Sequence, residues 1–411
     1  MTAHSSVPRC IAAVAMSLAC VCTHAQNASP AVGDSISRGR YLAYVGNCAT
    51  CHTVPGGAPF AGGVAFETPF GRIYSTNITP DRATGIGTWR AVDLRRAMHE
   101  GVAPNGDRLF PAFPYTSFTK VTEADVDAIH AYLRTVKPVR YTPPANAPLL
   151  RIRWPLRIWN ALSFEPGRHV PDAAQNAEWN RGAYLVQGLG HCSACHTPRN
   201  ALMAEVSERE YAGGTLQDKV GPNKIRRWSA VNLTGAKYGL ASWSVNDLAK
   251  YLGTGFSVRA GTFGPMNEVI VNSLKYLTPE DARAMAVYLK SLPAQESDGP
   301  GVLPEQVSAG EPIYKQRCEK CHSSSGRGGM FSGPPLAGGA VTQSEDPASL
   351  LNILIYGPEL PKGVSFGGWE TMPAYGEILD DEQLAAVSNY IRGSWGNRAR
   401  AVNPEDVAKQ R

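Results

Sequence analysis

The pentad Cys-x-x-Cys-His occurs three times in this chain, with Cys48, Cys51 and His52, Cys192, Cys195 and His196, and Cys318, Cys321 and His322 as its members. Nothing else in the sequence restricts the fold as tightly. On a helix, positions i, i+3 and i+4 share one face. Two thiols and an imidazole then leave a single turn together, so the thiols can add to the two vinyl groups of one haem while the imidazole reaches its iron. A redox dithiol or a zinc site needs no His directly after the second Cys, and neither explains a pentad repeated whole. The chain has nine cysteines, and the other three, Cys10, Cys20 and Cys22, sit near the N-terminus, which leaves none for a disulfide.

Residues 1–25 read as a signal peptide: Arg9 gives the positive start, residues 10–21 the apolar stretch, and Thr23-His24-Ala25 a small-residue cleavage site. A lipid anchor on Cys20 or Cys22 is the lesser alternative, since neither has Leu three residues upstream. The mature chain is expected in the periplasm. Its best candidate for a membrane span, residues 149–164, is broken by Arg151, Arg153, Pro155 and Arg157, so the protein reads as soluble or peripheral. That segment interleaves Arg with Ile, Leu and Trp, and it is either packing between domains or a docking surface for a partner or a membrane. The formal charge of +5 falls to +4 without Arg9, and nothing in its distribution suggests a nucleic-acid partner.

A length of 411 residues suits two to four domains, and the repeat around the pentads favours three. Arg38-Gly39-Arg40-Tyr41-Leu42 matches Arg181-Gly182-Ala183-Tyr184-Leu185, and Gly310-Glu311-Pro312-Ile313-Tyr314 is a weaker copy; each is expected to begin the helix that carries the cysteines. Capping signals at Thr122, Thr278 and Asp380 open a closing amphipathic helix in each unit. The expected fold is mainly α, three tandem class I cytochrome c-like domains with long loops. They cover residues 26–140, 173–296 and 308–398, with linkers at 141–172 and 297–307. Asn77, Thr79 and Trp89 recur as Asn232, Thr234 and Trp243; these are candidate donors to haem propionates, or else ordinary turn caps.

A His-ligated iron takes a sixth ligand, and a thioether there raises the potential and closes the site. Met372, in Thr371-Met372-Pro373-Ala374-Tyr375, and Met266, in Gly264-Pro265-Met266, both read as loop residues able to reach the distal side. Met285 reads as core, while Met203 and Met330 follow their cysteines too closely. No other residue set resembles a nucleophile, a metal cage or a nucleotide loop, which leaves electron transfer as the reaction.

With these motifs, and with residues 74–80, 111–115, 191–200 and 389–397, the chain resembles the three-haem cytochrome c subunits of bacterial periplasmic dehydrogenases. These serve alcohol, gluconate and fructose dehydrogenases and molybdenum-containing aldehyde, isoquinoline and nicotinate dehydrogenases. The resemblance implies a catalytic dehydrogenase partner, with ubiquinone or a terminal oxidase as acceptor. The rival readings are a free-standing multihaem carrier and a haem enzyme such as a peroxidase. In the alcohol branch a Met stands where this chain has Phe113 and supplies the sixth ligand of the first haem. Here Met98 is the replacement, sharing a helix face with Leu94 and Ala97; His99, read as solvated beside Arg95 and Arg96, and an open iron are the alternatives. Phe113 also fits the branch serving molybdenum hydroxylases, which tilts the partner towards aldehyde or N-heteroaromatic oxidation.

The mature protein is expected to hold three covalent haems per chain. A pyridine haemochrome assay with intact-protein mass spectrometry checks the count, and two or fewer in fully matured protein contradicts it.

Overall fold

The computed structural model describes residue 1 and residues 32–219, 225–296, 301–360 and 369–411. The expected signal peptide, apart from Met1, lies outside the described residues, as does part of the second expected linker. The first helices are α1 (Val32–Val45), α2 (Cys48–His52), α3 (Ala91–Glu100), α4 (Tyr115–Phe118), α5 (Glu123–Leu133) and α6 (Pro155–Ser163). Between α2 and α3 an antiparallel hairpin pairs β1 (Ala65–Thr68) with β2 (Gly71–Tyr74), Ala65 facing Tyr74. There follow α7 (Ala177–Tyr184), α8 (Ser193–His196), α9 (Val245–Thr254), α10 (Pro265–Asn272) and α11 (Pro279–Ser291). A second hairpin, β3 (Gly214–Lys219) and β4 (Ile225–Ala230), sits between α8 and α9 with Gly214 facing Ala230. The last stretch contains α12 (Pro304–Arg317), α13 (Glu319–His322), α14 (Ala340–Gln343), α15 (Ala348–Tyr356), α16 (Asp381–Gly393) and α17 (Pro404–Ala408).

Three helix crossings organise this chain: α1 on α5, α7 on α11, and α12 on α16. Each crossing is made at a glycine. A Cβ on Gly39 would lie 1.8 Å from the carbonyl oxygen of Ala128, on Gly182 1.9 Å from that of Ala284, and on Gly310 2.0 Å from that of Ala386. Backbone therefore touches backbone, which no other residue type permits. The motif glycines stand in mid-helix, so they do not begin the helix as the sequence suggested, and the cysteines follow on a separate short turn. The closing helices start where the capping signals place them: Thr122 accepts from Asp125 N (3.3 Å), Thr278 from Asp281 N (3.2 Å) and Asp380 from Gln383 N (2.8 Å).

The three units are not equally independent. One apolar core runs unbroken from Leu42 and Met98 through Leu185 to Leu252 and Leu289, while Tyr314, Leu351, Tyr375 and Leu384 belong to a second core. The merger has a reciprocal polar centre. Arg38 pairs with Asp125 (2.6 Å) and Arg181 with Asp281 (2.7 Å), each within its own unit. The tyrosines cross over: Tyr41 donates to Asp281 (2.5 Å) and Tyr184 to Asp125 (2.6 Å). Tyr44 stacks on Tyr276 at 4.1 Å, and Ser273 donates to the Val45 carbonyl (3.1 Å). In the third unit the equivalent positions are Ala309, Pro312 and Gln383, so the exchange cannot form. That unit docks through polar contacts instead: Ser349 donates to Ser229 O (2.7 Å), Asn352 to Arg227 O (2.7 Å), and Arg226 pairs with Glu359 (2.9 Å).

Burial alone would raise the Asp281 carboxyl, but hydrogen bonds from Arg181 and Tyr41 outweigh it and hold the group below its ordinary value. A depressed carboxyl contributes stability that is complete above the unfolded value of about 3.9 and is lost as pH falls through the folded one. Asp281→Asn is expected to cost about 2 kcal/mol at neutral pH, and the difference from the native chain should shrink as pH falls through the lowered folded value. Denaturant titrations of both proteins across that range provide the check.

Candidate haem-binding sites

Each pentad folds into one turn of helix. His196 N bonds Cys192 O and His322 N bonds Cys318 O, both at 3.0 Å, while α2 holds the whole first pentad. Both cysteines and the histidine of each pentad thus issue from adjacent rungs, as covalent attachment needs. The six pentad cysteines form no disulfide with one another, and burial is the main force pushing the Cys48 and Cys192 thiols up to about 12 and that of Cys318 to about 11. No thiolate among these three is poised for disulfide exchange, which disfavours a redox dithiol.

The histidines are held alike. Nδ1 of His52 meets the Thr76 carbonyl (2.7 Å), that of His196 the Val231 carbonyl (2.7 Å) and that of His322 the Pro334 carbonyl (2.9 Å). Nδ1 must therefore carry the proton, so Nε2 presents its lone pair outward, the arrangement typical of metal-ligating imidazoles. Burial pulls all three below the ordinary imidazole value, against the opposing carbonyl bonds, and so favours the neutral, ligating form. These residues fit a covalently attached haem.

The carbonyl brace rests on a repeat that sequence reading missed. Phe60-Ala61-Gly62-Gly63 recurs as Tyr211-Ala212-Gly213-Gly214. Phe60 and Tyr211 share a φ of +63°, Gly62 N and Gly213 N each bond the carbonyl of the pentad histidine at 2.8 Å, and Ile78 N and Leu233 N bond back to Phe60 O and Tyr211 O. The internal copy was visible in the sequence, but its left-handed turn and its role under the histidine were not.

The three candidate methionines lie in different settings. Met98 is buried on the inner face of α3 with Leu94 and Ala97, as expected, and α3 ends at Gly101 in the left-handed region. Met372 is half-buried in a loop against the last core. Met266 is half-buried in the first turn of α10, not in a loop, because Pro265 is well suited to begin a helix. Beside it, Gly264 packs under Trp228, whose buried indole N–H has no partner among the described residues. Met285 is core, fully buried. His99 is a correction: it is 2% exposed, not solvated. The chain returning after α6 bonds Thr119 and Lys120 through Arg168 and His169 and brings Arg168 beside His99, where burial first and that charge second lower it to about 4.

The donors of Asn77, Thr79, Asn232 and Thr234 are already engaged. Asn77 Nδ2 donates to Val139 O (2.8 Å) and Asn232 Nδ2 to Gln295 O (2.8 Å); Thr79 Oγ1 donates to Asn77 Oδ1 and Thr234 Oγ1 to Asn232 Oδ1, both at 2.7 Å. They cap the turns that tie the segment after each closing helix back to the unit. Trp89 and Trp243 pack against the shared core.

The chain is similar to known proteins. Residues 36–137 match the family described as cytochrome c, and residues 305–391 match cytochrome c oxidase, cbb3-type, subunit III. The gluconate 2-dehydrogenase cytochrome c subunit of Pantoea cypripedii is 41% identical, over 92% of this chain and 89% of its own length. The cytochrome c subunit of the quinone-dependent alcohol dehydrogenase of Gluconobacter oxydans is 37% identical, over 94% and 84%. A nicotinate dehydrogenase subunit of Pseudomonas putida is 40% identical over 88% of this chain, which spans only 31% of that longer protein. The chain contains cytochrome c domains and belongs to the family of cytochrome c subunits of dehydrogenases.

Proposed function

We propose that this protein is the three-haem electron-transfer subunit of a periplasmic dehydrogenase, taking electrons from a catalytic partner and delivering them to ubiquinone or a terminal oxidase. The observation that carries the reading is the threefold pentad whose histidines all present Nε2 from a carbonyl-braced Nδ1. Each helix crossing, with its pentad, is read as one cytochrome domain, at 26–140, 173–296 and 308–398, joined by linkers at 141–172 and 297–307. A haem, when bound, supplies a one-electron change at iron. The chain's own residues do the rest. Cys48 and Cys51, Cys192 and Cys195, and Cys318 and Cys321 anchor the group, and His52, His196 and His322 orient on it. Met266 and Met372 close the second and third sites, and the indoles of Trp89 and Trp243 donate to propionates.

The partner favoured is a molybdenum enzyme oxidising an aldehyde or an N-heteroaromatic, with alcohol and sugar dehydrogenases next. Phe113 supports that order, because it puts an apolar ring, edge-on to Phe118 at 5.3 Å, where the alcohol branch has its ligand. Purifying the native protein from its membranes should bring a dehydrogenase subunit with it, and deleting the gene should abolish respiration on that enzyme's substrate. Intact respiration together with an uncomplexed monomer would sink the reading in favour of a free carrier.

Met98 completes the first site, because Phe113 has no donor atom and α3 buries the Met98 thioether among core side chains. Met98→Ala is expected to remove about one third of the thioether-to-ferric-iron absorption and to lower one of the three potentials. Unchanged absorption and potentials would exclude Met98 as the ligand.

A further inference from the structure

The first two units differ by one residue just ahead of their pentads. From Gly39 to Cys48 is nine positions, and from Gly182 to Cys192 it is ten. A π-helical turn absorbs the extra residue: Gly46 N bonds Leu42 O four residues back (2.8 Å), whereas Gly190 N bonds Leu185 O five back (2.7 Å). Both chains then pass through a left-handed residue directly before the first cysteine, Asn47 at a φ of +52° and His191 at +35°. Asn and His are among the few residue types enriched in that region, so Asn47 and His191 are structural counterparts. In the third unit Arg317 holds the place as the last residue of α12 and makes no such turn.

The turn sends each side chain across the junction between the units. Asn47 Oδ1 accepts from Thr50 (2.6 Å), whose Oγ1 accepts in turn from Asn272 Nδ2 at the end of α10 (3.0 Å). His191 reaches further. Its half-buried ring packs edge-on to Phe118 at 5.6 Å, and Phe118 packs edge-on to Phe113 at 5.3 Å. The imidazole also interacts with the main chain of Gly46, two residues ahead of Cys48, where the carbonyl is the acceptor that a ring N–H can use. The chains are close here: a Cβ on Gly46 would lie 3.3 Å from the Leu189 side chain and 3.6 Å from Cys48 Sγ. His191 therefore adjoins Cys192 through the backbone and meets both the attachment turn and the phenylalanine pair of the first site. The left-handed turn alone does not call for so large a side chain, since Asn47 serves it in the first unit.

An electron tunnels more readily through bonds and closely packed atoms than across a solvent-filled gap. We propose that His191 is a positioning residue that couples the first haem to the second, holding their attachment turns together and filling the space between them. The proposal rests on the three-haem reading above. The step is a single-electron exchange in which one site is oxidised as the other is reduced, and no bond or proton moves.

The test uses the holoprotein, reduced by one electron per chain in pulse radiolysis. Absorption follows the redistribution, and a stepwise redox titration of the same protein supplies each haem's difference spectrum. His191→Gly suits the left-handed turn and deletes the side chain; His191→Asn suits it as well and lacks the ring. Both variants should keep three covalent haems and native potentials, and should slow one internal phase several-fold while the other phases stay native. An unchanged rate in His191→Gly overturns the proposal. So does a slowing that comes with lost haem or shifted potentials, because His191 would then support the fold alone. Fewer than three haems in the native protein would instead remove the reading on which the proposal rests.

Discussion

The close approach of two helices at a glycine is the contact on which the rest depends. At Gly39, Gly182 and Gly310 the backbone of one helix lies against a carbonyl of the other, and even a single methyl group would overlap it. The Cys-x-x-Cys-His turn follows α1 and α12 within a few residues, and follows α7 after a π-helical stretch, Leu185–Leu189. In the first two units the same crossing sets the closing helix, whose capped first turn bonds the neighbouring unit's tyrosine. Site and interface therefore share one piece of packing geometry.

From that geometry follows the joining of the first two units. Asp125 and Asp281 are third residues of capped helices, and each carboxylate accepts from an arginine of its own unit and a tyrosine of the other. Two buried carboxylates are tolerated because each has several donors. The tyrosines add apolar area around that polar centre, and burial pushes both phenols up to about 12, so they remain donors across the physiological range. The third unit lacks all three residue types and is attached by serines, an asparagine and ion pairs on β4 and α15. The protein is thus a fused pair with a third unit docked beside it.

The carbonyl brace beneath each histidine links the fold to the chemistry. A left-handed Phe60 or Tyr211 turn lets the following glycine reach the histidine carbonyl, and the chain beyond returns a second carbonyl to Nδ1. Strain at the turn is offset by these bonds, and the imidazole is held in one tautomer. In the third unit Pro334 supplies that carbonyl from a shorter loop, so the orientation survives though its scaffold differs.

By itself the sequence determined the local chemistry. The pentads, the capped closing helices and the inward face of α3 with Met98 follow from spacing, because a helix turn and a cap are decided within a few residues, while the family follows from the resemblance that the motifs carry. Only the tertiary structure decided what depends on residues far apart in the chain. Tyr41 and Asp281 are 240 positions apart, and no periodicity reveals that their side chains meet. His99 looks solvated on its own helix and is buried in the packed chain, with the charge of Arg168 from a distant segment acting on it. Asn77 and Asn232 reach carbonyls beyond their closing helices, partners that no local pattern reveals. Helix α6 shows the reverse: its apolar pattern is plain in sequence, but which stripe faces inward was settled by Tyr115 and Asn160. Burial and hydrogen-bond partnership are properties of the packed chain, and only local conformation can be read one segment at a time.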